Sequence, residues 1–286
     1  MKTTMTIRSV LAVALGSLAA WAVQADEQIV VPLTDASRPM VLEINTINSA
    51  VNIHAYDGKE VVIVAREATA EEVEPGNGRR RPRLPNGRDE DASSTEGLRR
   101  IPNTSIGLTA TEENNTVSVK TDFSHQPLAL DISVPQRTSV RAKTVNGGDL
   151  TVVGVSGEHE LSNVNGRIVA TDIAGSLVAS TTNGTVRATF TKVTAGKAMS
   201  FNSFNGDVDV TFPPDLDATL RVTSGRGEFY TDFDIDVQPQ PPVVVQGGQR
   251  GQYEVRLERE TVATVGRGGP DIRFKTFNGN VMIRKR

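Results

Sequence analysis

The sequence predicts an all-β protein, and within that class a single-stranded parallel β-helix (a β-solenoid) of about 18–22 residues per coil. Three observations lead there. A short phrase keeps returning: Gly, any residue, an apolar residue, any residue, then a small or apolar one. Its spacing is nearly constant. The apolar residues around it alternate with polar ones rather than recurring at three and four, which is the period of strands and not of helices.

The phrase is clearest at Asn183-Gly184-Thr185-Val186-Arg187-Ala188, and again from Asn165-Gly166, Asn205-Gly206 and Asn278-Gly279. Looser copies start at Gly148 and Gly227. Asn-Gly tolerates positive φ, so each copy reads as a turn followed by a short strand whose alternate side chains point inward. From Gly148 to Gly227 the marker glycines are 18, 18, 22 and 21 residues apart. Glycines offset from these, at 157, 175 and 196, precede further strands, so a period holds two strands and two turns. A single coil cannot bury its inner face, but stacked coils can. The inward positions are then Leu150, Val152, Leu161, Ile168, Ala170, Leu177, Ala179, Val186, Ala188, Met199, Phe201, Val208, Val210, Leu220 and Val222. A β-sandwich with strands every 8 to 12 or so residues is the competing fold, but it has no reason to repeat its turn phrase.

In chain order, residues 1–25 have the form of a secretory leader. Lys2 and Arg8 precede an apolar run from Val10 to Ala22, and Val23-Gln24-Ala25 is a small-x-small cleavage site. The apolar run is shorter than the ~20 residues of a membrane span, and no other stretch is a candidate. Residues 26–70 hold β-branched runs and a degenerate first coil at Asn48-Ser49, with Ser in place of Gly. Residues 71–105, which include the Arg79–Arg83 cluster, are charged and poor in large apolar residues, so they read as a disordered insertion. Residues 106–286 form the repeating domain, interrupted by a Pro/Gly-rich loop at 236–252. The terminal Arg284-Lys285-Arg286 fits a charged outer edge.

Of 31 Lys and Arg, two leave with the leader, so 29 face 34 Asp and Glu at a formal charge of −5. That balance offers nothing to nucleic acid or anionic lipid. With no Cys, stability comes from burial and backbone hydrogen bonds, and no lipid-bearing Cys follows the leader.

The closing run Gly268-Gly269-Pro270-Asp271-Ile272-Arg273-Phe274-Lys275-Thr276-Phe277-Asn278-Gly279-Asn280-Val281, together with Thr223-Ser224-Gly225-Arg226-Gly227 and the Asn-Gly-x-Val phrases, resembles the bacterial "putative adhesin" families of exported β-helix domains. The resemblance covers Val140 to Arg286, with weaker support from Val41 to Ala65. It implies a cell-envelope or secreted β-solenoid with a role in adhesion, and it brings no catalytic residues.

The residues themselves show no catalytic, cofactor or metal constellation. His54, His125 and His159 stand apart with no elbow context and read as surface or turn residues. Glu158-His159-Glu160 reads as a solvated strand edge rather than a metal site. The structural turn repeat is Asn165, Gly166, Asn183, Gly184, Asn205, Gly206, Asn278 and Gly279, with the asparagines stacked as a ladder. Asp149, Arg167, Arg187, Asp207 and Asp209 form an outward polar face for a glycan or an envelope-protein partner. The expectation is an exported, non-catalytic envelope or surface interaction module in the periplasm, at the outer-membrane surface or outside the cell. The alternatives are a polysaccharide-binding or polysaccharide-degrading β-helix and a scaffold or sensor subunit of an envelope assembly. Nothing in the sequence decides the oligomeric state.

Overall fold

The structure, a computed structural model, describes residues 27–73, 107–121, 127–238, 243–247, 254–258 and 260–286. The expected leader, the Arg79–Arg83 cluster with most of the 71–105 insertion, His125 and parts of the 236–252 loop lie outside the described residues. The chain starts with β1 (Glu27–Pro32), β2 (Met40–Ile47), β3 (Ser49–Tyr56) and β4 (Glu60–Glu67), then the four-residue helix α1 (Ala70–Val73). It continues with β5 (Leu108–Glu113), β6 (Thr116–Thr121), β7 (Leu128–Pro135), β8 (Thr138–Val145), β9 (Leu150–Val153), β10 (Ser156–Asn165), β11 (Ile168–Asn183) and β12 (Val186–Val193). Next are β13 (Met199–Ser203), β14 (Val208–Phe212), β15 (Ala218–Ser224), β16 (Phe229–Thr231), β17 (Ile235–Gln238), β18 (Val243–Gly247), β19 (Glu254–Glu258), β20 (Thr261–Val265), β21 (Asp271–Thr276) and β22 (Val281–Lys285).

The class is all-β. Twenty strands join one barrel-like sheet of mixed orientation, and β18 with β19 makes a separate antiparallel pair. In the middle the pairings are parallel and repeat at the coil spacing. Leu161 lies beside Ala179, Ala179 beside Phe201, Val186 beside Val208. Two ladders result. One runs β6, β2, β8, β10, the second half of β11, β13, β21 and β15; the other runs β7, β3, β9, the first half of β11, β12, β14, β22 and β16. β11 crosses from one ladder to the other, with a register shift near Asp172, whose φ is 52°.

Orientation turns antiparallel towards both ends, at β5–β6, β1–β4 and β4–β7, and at β15–β20 and β17–β20. A parallel helix over the whole chain is therefore not what forms. The coils also depart from chain order. The last coil, β21–β22, sits between β13–β14 and β15–β16. At the other end, the degenerate Asn48-Ser49 coil lies between β6–β7 and β8–β9. The expected charged edge at Arg284-Lys285-Arg286 is thus corrected: β22 has a neighbour on each side, and the end strand of that ladder is the three-residue β16. The physical gain is that a strand rich in buried residues satisfies its backbone on both edges, while the exposed end strand is short.

The core lies between the ladders, and every inward position named above is buried. Its largest members are Phe190, Phe201, Phe212 and Phe274. Phe190 stacks on Phe212 at 5.1 Å and Phe201 on Phe274 at 5.2 Å, and the two stacks meet edge to face at 6.2 to 6.5 Å. Aromatic pairs in these geometries contribute ~0.5–1.5 kcal/mol each beyond burial, so they tie the two ladders at the C-terminal half.

Candidate functional site

The turn phrase builds one corner of the coils that carry Gly148, Gly166, Gly184, Gly206, Gly279 and Gly227. Its glycines stack: a Cβ on Gly184 would lie inside 3.0 Å of the Gly166 carbonyl oxygen, and the same holds for Gly206 on Gly184, Gly279 on Gly206 and Gly227 on Gly279. Gly148 and Gly166 have positive φ, but Gly184, Gly206, Gly227 and Gly279 do not. The reason for Gly at these four positions is close backbone approach, which corrects the turn-relief reading.

Outside the glycines runs the asparagine ladder. Each side-chain amide donates from Nδ2 to the Oδ1 of the preceding coil: Asn165 to Asn146, Asn183 to Asn165 at 2.7 Å, Asn205 to Asn183 and Asn278 to Asn205 at 2.8 Å. Inside runs a second ladder that the sequence reading missed. Thr181 donates to the Gly166 carbonyl at 3.0 Å, Ser203 to that of Gly184 at 2.8 Å and Thr276 to that of Gly206 at 3.0 Å, while Asn163 Nδ2 reaches Gly148 at 2.9 Å. The available signal was a Ser, Thr or Asn three residues before Gly166, Gly184, Gly206, Gly227 and Gly279, though not before Gly148. An inward hydroxyl there satisfies a carbonyl that the corner would otherwise leave buried.

The five residues of the expected polar face divide between two columns. Asp149, Arg167 and Asp207 follow the glycines; Arg187 and Asp209 stand two residues on, paired in register. They interact with one another and with neighbouring coils. Arg167 holds Asp149 with two guanidinium bonds and a backbone N–H at 2.8 Å, and the partnership raises the Arg167 pKa. Asp209 takes Arg284 at 2.8 Å and Arg187 at 3.8 Å, and Asp207 accepts the Asn280 N–H at 2.7 Å.

One histidine, His159, departs from its expected place, while His54 is exposed as expected. His159 is 4% exposed rather than on a solvated edge, standing inward between Val140 and Leu177 in the ladder. His54 Nε2 lies 2.8 Å from Ser133 Oγ across β3 and β7. Among the described residues no acid bonds the other ring nitrogen, so the pair is a cross-strand polar contact. Among the described residues, no group of three or more His, Asp or Glu could hold a metal ion, and no helix is long and apolar enough to cross a membrane.

What stands out on the exterior is aromatic. Phe204 and Phe277, one coil apart, stack at 5.0 Å while 51% and 42% exposed, with Arg226 5.6 Å above the Phe277 ring. Around the same corner, Tyr230 is 50% exposed on the end strand β16. These three are the exposed aromatics of the described residues, and all sit on the last coils of the stack. The signal was present in the sequence as Phe-Asn-Gly at 204–206 and 277–279, but only the unexpected coil order places the two rings together.

No protein-family model matches the chain, and no curated protein matches it. Among solved structures, a crystal structure described as a "putative cell adhesion protein" from Clostridium sporogenes is similar at 7% sequence identity and a TM-score of 0.44, covering 92% of this chain and 100% of that one. A likeness at that level carries no argument about function.

Proposed function

We propose that the chain is an exported, non-catalytic interaction module of the cell envelope or cell surface, adhesin-like in role. Its central coils form a single-stranded parallel β-helix of about 18–22 residues per turn, closed at each end by antiparallel strands. The observation that carries the reading is that the exposed aromatics of the described residues, Phe204, Phe277 and Tyr230, gather with Arg226 at one end of the stack, while the other large exposed apolar side chains are all valines. Exposed aromatics and Arg are the residues that dominate association energies, and a fold that needs only a polar exterior has no other use for them there. The resemblance of the closing phrases to the adhesin families points the same way. Polysaccharide cleavage is the less favoured reading: Asp149 and Asp209 are each engaged by Arg, which leaves no converging acid pair beside them for general acid and base roles.

The test is a cell-binding and glycan-array screen of purified residues 26–286 against the double variant Phe204→Ala/Phe277→Ala. The expected result is saturable binding by the parent, weakened at least about tenfold in the variant. Equal binding by both would remove the aromatic cluster from the interface.

A further inference from the structure

Beside the phenylalanine pair, around the Asn-Gly corner, lies a shallow cleft of ≈ 490 Å³ at the end of the second ladder. Its lining includes Tyr230, Thr231, Asp232, Asn280, Met282 and Arg284. We propose that this cleft is a saccharide subsite for neutral hexose units, with the Tyr230 ring as its platform. The proposal rests on the interaction-module reading and names its ligand class.

The argument starts from position. Among the described residues β16 pairs only with β22, so Tyr230 has Met282 on one side and no described strand on the other. One side of a half-exposed ring is therefore open, unlike Phe277, which stacks on Phe204 and carries Arg226 over its ring. A sugar needs such a ring for its axial C–H face, and planar polar groups at the rim for its hydroxyls. The rim supplies both kinds. Asn280 Oδ1 accepts the Glu228 N–H at 2.9 Å, which fixes the side chain and leaves Nδ2 as a donor without a partner among the described residues. Asp232 Oδ1 accepts the Lys285 N–H at 2.6 Å, which leaves Oδ2 as an acceptor. Thr231 Oγ1 accepts the Phe233 N–H at 3.1 Å and keeps its own proton to donate.

Charge decides which sugar. Arg284 is the one cation in the lining, and Asp209 holds it at 2.8 Å, while Asp232 stays exposed. The lining offers no net positive charge to a uronate, sialate or phosphate, so neutral hexoses fit and acidic ones do not. The volume lies within the ~300–1,000 Å³ range of small-ligand sites. The competing occupant is an extended peptide added to the open edge of β16, which would bind through its main chain and not through the Tyr230 ring.

The experiment uses the mature chain, residues 26–286, and neutral hexose oligosaccharides (gluco-, manno- and galacto-series) with an acidic uronate oligomer as comparison. Titration calorimetry is run on the parent, Tyr230→Ala and Tyr230→Phe, alongside adhesion to intact cells. On the parent alone, the Tyr230 ring proton signals are followed during the titration, so the result does not depend on a variant folding. Support is binding of a neutral series, a shift of the Tyr230 ring signals, at least about tenfold weaker binding by Tyr230→Ala and retained binding by Tyr230→Phe. If the parent adheres to cells but no neutral oligosaccharide binds or moves the ring signals, the subsite is overturned and the interaction-module reading stands. Preference for the uronate, or adhesion abolished by protease treatment of the cells, overturns it in the same way. If the parent adheres to no cell and binds no glycan, both fail.

Discussion

Gly206→Ala should lower the unfolding free energy by about 3 kcal/mol, more than any exposed substitution on the stack. A methyl at 206 would lie inside 3.0 Å of the Gly184 carbonyl oxygen and near the Thr185 nitrogen, all of it backbone with no side chain to rotate away. The same carbonyl accepts the Ser203 hydroxyl at 2.8 Å, so opening the gap also strips a buried bond. Gly196→Ala is the contrast. Its φ is 75°, yet nothing lies within 4 Å of an added Cβ, so only the left-handed backbone opposes it, at about 1 kcal/mol. Urea unfolding of the two variants separates the causes. A Gly206→Ala penalty equal to or below that of Gly196→Ala would show that the corner is not set by coil-to-coil contact.

The second large effect is a loss of stability as pH falls from 6.5 towards 4. His159 is buried, and desolvation lowers its pKa from 6.5 to about 4. Burial holds the ring neutral against the Ala174 carbonyl, whose hydrogen bond raises the pKa. Nδ1 accepts the Val140 N–H at 3.4 Å, while Nε2 lies 3.4 Å from the Ala174 carbonyl, which requires the proton on Nε2. Protonating Nδ1 would set a second donor against the Val140 N–H. The folded pKa lies below the unfolded one, so the unfolded chain takes up the proton first. Stability is full above pH 6.5 and declines by ~1.4 kcal/mol per unit until the folded pKa, a total of roughly 3 kcal/mol. Between pH 7.5 and 5 the parent should lose about 2 kcal/mol in urea unfolding, and His159→Leu, which extends the apolar column of Leu177 and Met199, should lose far less. Glu72, held down to about 2 chiefly by Arg66, loses its own contribution only below its ordinary 4.5 and does not confuse that window. Parallel pH curves for the two proteins would exclude His159 as the cause.

The same two residues show what was legible in the sequence and why the rest was not. Alternation is a local property, so every inward position from Leu150 to Val222 could be read from period two alone. The asparagine ladder follows from a repeated residue at a repeated place. His159 defeated the reading because its neighbours Glu158 and Glu160 are acidic and exposed, and strand alternation puts the residue between two outward acids inside. Coil order was not legible because parallel pairing carries no mark of chain sequence. Phe274 fits beside Phe201 and Val222 equally well, and the excursion through β17–β20 is long enough to return the chain to either side. The candidate site inherited that blindness. Phe204 meets Phe277, and Tyr230 meets Met282, only because β21–β22 enters between two earlier coils.

That interleaved order is the claim on which both the aromatic pair and the cleft depend, and cysteine cross-linking tests it in a chain that has no Cys of its own. Ser200 lies beside Arg273, and Arg273 beside Arg221, so Ser200 and Arg221 are two strands apart, roughly 9–10 Å. A disulfide spans Cα atoms up to about 7 Å apart. Ser200→Cys with Arg273→Cys should oxidise to an intramolecular disulfide, and Ser200→Cys with Arg221→Cys should stay reduced. Coils stacked in chain order would reverse the two results and contradict the account.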